Sequence, residues 1–188
     1  MLRAAGRPTT RLGAAWVLAA ALIVGVLLIG CETDPESDLS AEEGQPMKLG
    51  DLLYNVQFSR FLNPRDPEDK AYLAGQPPPP NNKLYLGVFM VIENEADTAQ
   101  DVPADFRVVD TEGTEFNPIP SDSLFALKLG GKVAANEQLP EPESTAANGP
   151  IEGAMLLFLI DEATTEDRPL TLDIPSSAGS VGEVELDI

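Results

Sequence analysis

Carboxylates are the abundant reactive groups of this 188-residue chain, which has 31 Asp and Glu against 12 Lys and Arg, no His and one Cys. Without His there is no imidazole base near neutral pH, no Ser-His or Cys-His pair, and no His-ligated zinc or copper. The acids bunch at Asp66, Glu68 and Asp69, at Asp110, Glu112 and Glu115, and at Asp161, Glu162, Glu166 and Asp167. A hard cation such as Ca2+ takes roughly six to eight converging oxygens, which makes Asp66, Glu68, Asp69, Asp161 and Glu162 the candidate calcium ligands. None follows the spacing of an EF-hand loop. In so acidic a chain such clusters arise from composition, and the expectation is solvated turns with no resident metal or other cofactor. Paired carboxylates flanking a cleft could hydrolyse a glycoside. No spacing singles out such a pair, and Lys48, Lys70, Lys83, Lys128 and Lys132 stand in no serine-lysine motif. With no catalytic residue to name, the chain is expected not to be an enzyme.

The lone cysteine is more informative. Arg3, Arg7 and Arg11 precede an apolar run from Ala14 to Ile29, and the run ends in Leu28-Ile29-Gly30-Cys31 before Glu32, Asp34, Glu36 and Asp38. A basic segment, an apolar segment and a small-residue cleavage site make a signal peptide. These residues resemble the precursor of a bacterial lipoprotein, whose cleavage box is an aliphatic residue, a small or aliphatic residue, Gly or Ala, and then Cys. The resemblance implies cleavage of residues 1–30 and a diacylated Cys31 as the new N-terminus, and two chains suffice for stable anchoring. The alternative is an uncleaved transmembrane helix, since Leu12 to Gly30 is long enough to span a bilayer. Both readings hold the N-terminal arginines inside and place the rest outside the cytoplasm.

Loss of residues 1–30 takes the 12 basic residues to 9 against 31 acids, a net charge of −22. Such a surface is a poor partner for nucleic acid, because affinity for a polyanion comes largely from Lys and Arg. The charge keeps an exported domain soluble. Residues 31–48 are acidic and have only Leu39 and Met47 as sizeable apolar groups, so they are expected to be a flexible tether spanning roughly 20–25 Å.

From residue 49 the apolar period becomes two. Leu52, Tyr54, Val56 and Phe58 alternate with Leu53, Asn55, Gln57 and Ser59 as the inward set of a half-buried strand, Leu170, Leu172 and Ile174 alternate with Thr171 and Asp173, and Val184, Leu186 and Ile188 alternate with acids. The last two runs predict a closing hairpin with charged outward faces, as edge strands have. Leu84–Ile92 and Ala154–Ile160 are continuously apolar and predict strands covered on both faces. Phe106–Val109 and Thr114–Phe116 predict a hairpin about Gly113. Leu124–Leu129 fits a strand or a short helical turn. Seven or eight short strands without sustained helical periodicity predict an all-β, antiparallel β-sandwich over 49–188. The order of the Tyr54-Phe58 strand, the Tyr85-Asn94 strand, the Phe106…Gly113 hairpin and the Gly149-Phe158 segment is similar to uncharacterised immunoglobulin-like domains that follow lipoboxes. That similarity implies a fold and no activity.

One low-complexity stretch remains, the run Pro77, Pro78, Pro79 and Pro80. It favours a stiff polyproline II segment that could dock on an aromatic groove, or a rigid connection between strands. Together with the long irregular segment 130–150 it is the candidate interaction surface. The function expected is therefore a non-enzymatic binding module held in the cell envelope by the lipid on Cys31, with an envelope protein as the partner class.

Overall fold

A computed structural model describes residues 39–177 and 179–188. The cleavage box, Cys31 and the N-terminal helix expected over 1–30 lie outside the described residues. Twelve strands follow in order: β1 (Ser40–Glu42), β2 (Pro46–Leu49), β3 (Leu52–Leu62), β4 (Lys83–Asn94), β5 (Gln100–Asp101), β6 (Arg107–Val109), β7 (Glu115–Phe116), β8 (Lys132–Val133), β9 (Gln138–Leu139), β10 (Ala154–Asp161), β11 (Leu170–Pro175) and β12 (Val181–Leu186). The helical content among them is one 3-10 turn, Glu162–Glu166. Eight of these strands have three or more residues. Together with the two-residue β7 they form two sheets packed face to face, with orders β1-β12-β11-β6-β7 and β10-β4-β3-β2, and β9 pairs with β4 beside the second. The all-β sandwich expected from the period-two pattern is the fold. Its pairings are antiparallel apart from β1 on β12, which is parallel.

Leu86, Val88, Met90 and Ile92 of β4, with Leu156, Phe158 and Ile160 of β10, point between the sheets and meet Val108, Leu172, Ile174 and Val184. Burying each such side chain contributes roughly 1.5–3 kcal/mol. The alternate residues Tyr85, Phe89, Met155 and Leu157 face the other way, into a second cluster with Leu62, Tyr72, Leu73, Phe125 and Ala146. This second cluster is roofed by the β3–β4 connection and by segments between β7 and β10. Both faces of β4 and β10 are therefore covered, which is why their sequences are apolar without alternation.

Four expectations are corrected. The tether assigned to 31–48 is ordered structure from residue 39: β1 pairs with β12 and β2 with β3, and Met47 and Leu49 are buried. Strands of three and four residues give too few alternations to stand out from a polar linker, yet in Pro46–Leu49 the exposed Pro46 and Lys48 alternate with the buried Met47 and Leu49, which is a strand pattern. Phe58 is 44% exposed rather than a core residue. Val56 pairs with Met90 and Phe58 with Phe89, so Gln57 is an extra residue in a β-bulge that reverses the facing of the strand. Beyond it Ser59 and Phe61 take the inward positions. The closing hairpin β11–β12 is not at an edge, because β6 and β1 flank it. Its charged residues mark a solvated sheet face, and charge alone does not tell a face from an edge. Leu124–Leu129 is neither strand nor helix but a turn with a single bridge, Ala126 to Met155.

One edge of the sandwich is covered by irregular chain. The chain crosses from one sheet to the other between β1 and β2, where the Gly44 amide donates to the Val56 carbonyl. On the opposite side Pro118 bridges to Phe158, and the Ile119 and Leu127 amides donate to the Leu157 and Met155 carbonyls. Irregular chain thus satisfies the outer side of β10, which would otherwise invite pairing with another molecule.

Candidate functional site

The acidic clusters are not assembled as a cation site. Asp69 is buried, takes a hydrogen bond from the Asn63 amide at 2.7 Å and is paired with the Arg60 guanidinium, so it organises the start of the β3–β4 connection. Its burial departs from the solvated turn expected. Asp66 accepts from the Glu68 amide at 3.0 Å, and Asp161 pairs with Lys83 at 2.8 Å across the β4–β10 register. Glu162 opens the 3-10 turn with its amide donating to the Asn82 carbonyl. Asp110 shapes the β6–β7 turn by accepting from the Glu112 and Thr114 amides, while Gly113 has φ +82°. Among the described residues no three Asp, Glu, Cys or His side chains come together as metal ligands.

A denser array of acids lies on the outward face of the β1-β12-β11-β6-β7 sheet. Asp173 stands directly opposite Glu183, and Glu42 opposite Glu185. Like charges directly opposite each other destabilise a sheet. Arg107 lies opposite Asp173 and donates to Glu115 at 3.1 Å. Partial burial holds the Asp173 carboxyl above its ordinary value, and Glu183 adds to this while Arg107 opposes it.

The other outward face is where the structure offers shape. Pro118 and Pro120 keep the chain after β7 from continuing a ladder. Ser123 then donates to the Ala71 carbonyl at 2.8 Å and accepts from the Phe125 amide, which turns Phe125 down onto Tyr72 with ring centroids 4.6 Å apart. Gly149 is required at that contact, because a Cβ there would lie 2.5 Å from the Phe125 ring. The turn is thereby pinned with Phe125 inside and Leu124 outside, 78% exposed. Leu129 is also exposed, at 37%. Grooves of about 430 Å3 and 340 Å3 flank this turn, the first against Pro118–Ser123 and β10, the second against Leu139, Pro140 and Ala146. Lys128 lines both. Lys132 lines the second and is paired with Asp101.

The Pro-rich candidates sit on the neighbouring connection. Tyr85 donates to the Pro77 carbonyl at 2.8 Å, and Gln76 donates to the Pro120 carbonyl at 2.7 Å, so the run is fastened to the same roof. Pro77, Pro78 and Pro80 are exposed and Pro79 is half-buried. Burial holds the Tyr85 phenol above its usual value. The segment 130–150, irregular in sequence, is stitched by Asn94, whose side-chain amide donates to the carbonyls of Thr98, Val133 and Ala134. Neither Leu124 nor Leu129 was separable from core leucines by sequence. The only signal was that LFALKL fits both a strand and a turn.

No protein-family model matches the chain, and no curated protein matches it. Solved structures resemble it in outline. The yjhA protein of Bacillus subtilis is 14% identical with a TM-score of 0.48, covering 78% of this chain and 99% of that one. An uncharacterised β-sandwich protein of Clostridium difficile is 12% identical with a TM-score of 0.46, covering 79% and 95%. A candidate lipoprotein of Bacillus subtilis, ycdA, is 13% identical with a TM-score of 0.45, covering 76% of this chain and 38% of that one.

Proposed function

We propose that this chain is an envelope lipoprotein whose sandwich acts as a non-enzymatic interaction module, anchored through Cys31 and binding through the roof around Leu124. One observation carries the binding reading: a turn rigidly seated by Phe125 presents Leu124 outward between two grooves, with Lys128 at their shared rim. A Leu exposed to this extent gains by burial against a partner, and Lys128, with Lys132 beside it already paired to Asp101, favours an acidic group next to an apolar one. The lipoprotein part is supported by the Leu28-Ile29-Gly30-Cys31 box and the preceding basic and apolar segments.

A photoactivatable residue at position 124 in cells should give one discrete crosslinked species, lost when Leu129 is replaced by Asp and unaffected by Phe58→Asp. Crosslinks spread over many proteins and indifferent to Leu129→Asp would count against the site. Hydrolysis of an envelope polymer by the purified protein, abolished by one carboxylate substitution that leaves the fold intact, would replace binding with catalysis.

A further inference from the structure

We propose that the corner of the sandwich carrying Leu39 and Val181 rests on the lipid bilayer, so that the domain is displayed in one orientation. The proposal depends on the anchoring at Cys31 argued above and adds to it the surface that meets the membrane.

The argument begins with chain length. Leu39 is already fixed in the fold, because its carbonyl accepts from the Glu183 amide at 2.7 Å. From Cys31 to Leu39 is eight residue steps, and a fully extended chain covers at most about 3.3–3.6 Å per step, or about 26–29 Å. With β1 and β2 inside the domain, the point of attachment is the beginning of β1 and not residue 49. That end of the sandwich must stay within this distance of the acylated cysteine.

What lies there is distinctive in this acidic chain. β1 runs parallel to β12 with Ser40 opposite Glu183, so Leu39 stands beside the start of β12 and Val181. The two side chains are 40% and 38% exposed. From Pro175 to Gly182 the sequence has no charged residue. An anionic lipid surface repels a domain with a net charge of −22, and close approach is tolerated best at the uncharged loop 175–182 with its exposed Val181. That loop lies between Asp173 and Glu183, while Asp38 precedes Leu39 on the other side of the corner. The acids Asp51, Glu95 and Asp97 lie at the β3–β4 side of the same end, so contact is made by the corner and not by the whole end. Gly182 packs against Met47 and Leu49, whereas the end of β12 meets Glu43. The Pro77–Pro80 run leads into the start of β4, which pairs with the far end of β3. It therefore points away from the bilayer.

The mature chain has no Trp, since Trp16 lies within residues 1–30. A single Trp introduced at position 181 or 78 is thus a clean reporter. The acylated full-length protein, with Cys31 checked by mass spectrometry, is reconstituted into phosphatidylcholine–phosphatidylglycerol vesicles brominated on the upper acyl carbons. Val181→Trp should show blue-shifted emission and at least twofold quenching, and Pro78→Trp should show neither. Leu39→Trp serves as the second reporter if Val181→Trp melts below the parent. Acylated protein in which both corner reporters are quenched no more than Pro78→Trp overturns the proposal. A chain with residues 1–30 retained and Cys31 unmodified overturns the lipoprotein reading alone; because it keeps Trp16 within the apolar run, the corner is then read by the same quenching in a Trp16→Phe background. Protein that is neither acylated nor membrane-bound overturns both.

Discussion

The two outward faces of this sandwich have opposite fates. On the β1-β12-β11-β6-β7 sheet the outward residues are Glu42, Glu183, Glu185, Asp173, Arg107 and Glu115, an array of acids around one arginine in which Asp173 and Arg107 are half-buried and the rest are exposed. On the β10-β4-β3-β2 sheet the outward residues Tyr85, Phe89, Met155 and Leu157 are sealed beneath a roof of irregular chain. The domain places its long connections on one side. A roofed face requires long connections, continuous apolar strands and buried polar clasps such as Asp69 and Ser123. An unroofed face needs only alternation. The grooves follow from the roof, because irregular segments laid over a sheet do not tile it completely.

The largest effect should separate the two cores. Phe106→Ala, between the sheets and fully buried, should cost about 3–5 kcal/mol in urea unfolding. Phe125→Ala, beneath the roof, should cost less, because loops collapse into a cavity more readily than sheets do. It should also raise proteolysis between residues 117 and 129. Equal losses would mean that the roof is as rigid as the sandwich. Met47→Ala should cost about 2–5 kcal/mol, as for any buried Met, whereas a residue in a tether would cost nothing. Asp69→Asn, which removes the charged partner of Arg60, should cost about 1–3 kcal/mol and loosen the β3–β4 connection, read as faster amide exchange near Asn63.

The smallest effect belongs to the bare face, and its sign is opposite. Asp173 holds its proton more tightly folded than unfolded, so stability falls as pH rises through that interval and the cost persists above it. Asp173→Asn should therefore stabilise by a few tenths of a kcal/mol at pH 7. The gain should vanish below the ordinary carboxylate value of about 4, where the parent is protonated in both states. Thermal melts at pH 7 and pH 3 check both halves.

The long strands were legible in the sequence because burial on both faces leaves a signal that needs no partner to interpret. Leu84–Ile92 could be little else. β1, β2 and the two-residue strands β5, β8 and β9 were not, since they exist only by virtue of what they pair with. The bulge at Gln57 was illegible for the same reason: nothing in Val56-Gln57-Phe58 shows that the pairing strand skips a residue. Asn94 could be read as the end of a strand, but not as the clasp for a chain forty residues away. Of the groove, only the ambiguity of LFALKL was visible. Whether Leu124 or Phe125 turns inward depends on Ser123 reaching Ala71 and on the absence of a side chain at Gly149.

The parallel ladder between β1 and β12 also has a mechanical meaning. A pull on the chain at Leu39, directed along the strand, loads the hydrogen bonds to β12 in shear, so they share the force instead of opening one after another. Glu43 lies at the far end of that ladder, where its carboxylate takes hydrogen bonds from the Ser59 amide and hydroxyl and from the Asp187 amide. It acts as a stop. Tension entering at the first strand is handed to the bulge of β3 and to the last residues of the chain, and the point of suspension is also the place where the fold is tied to itself.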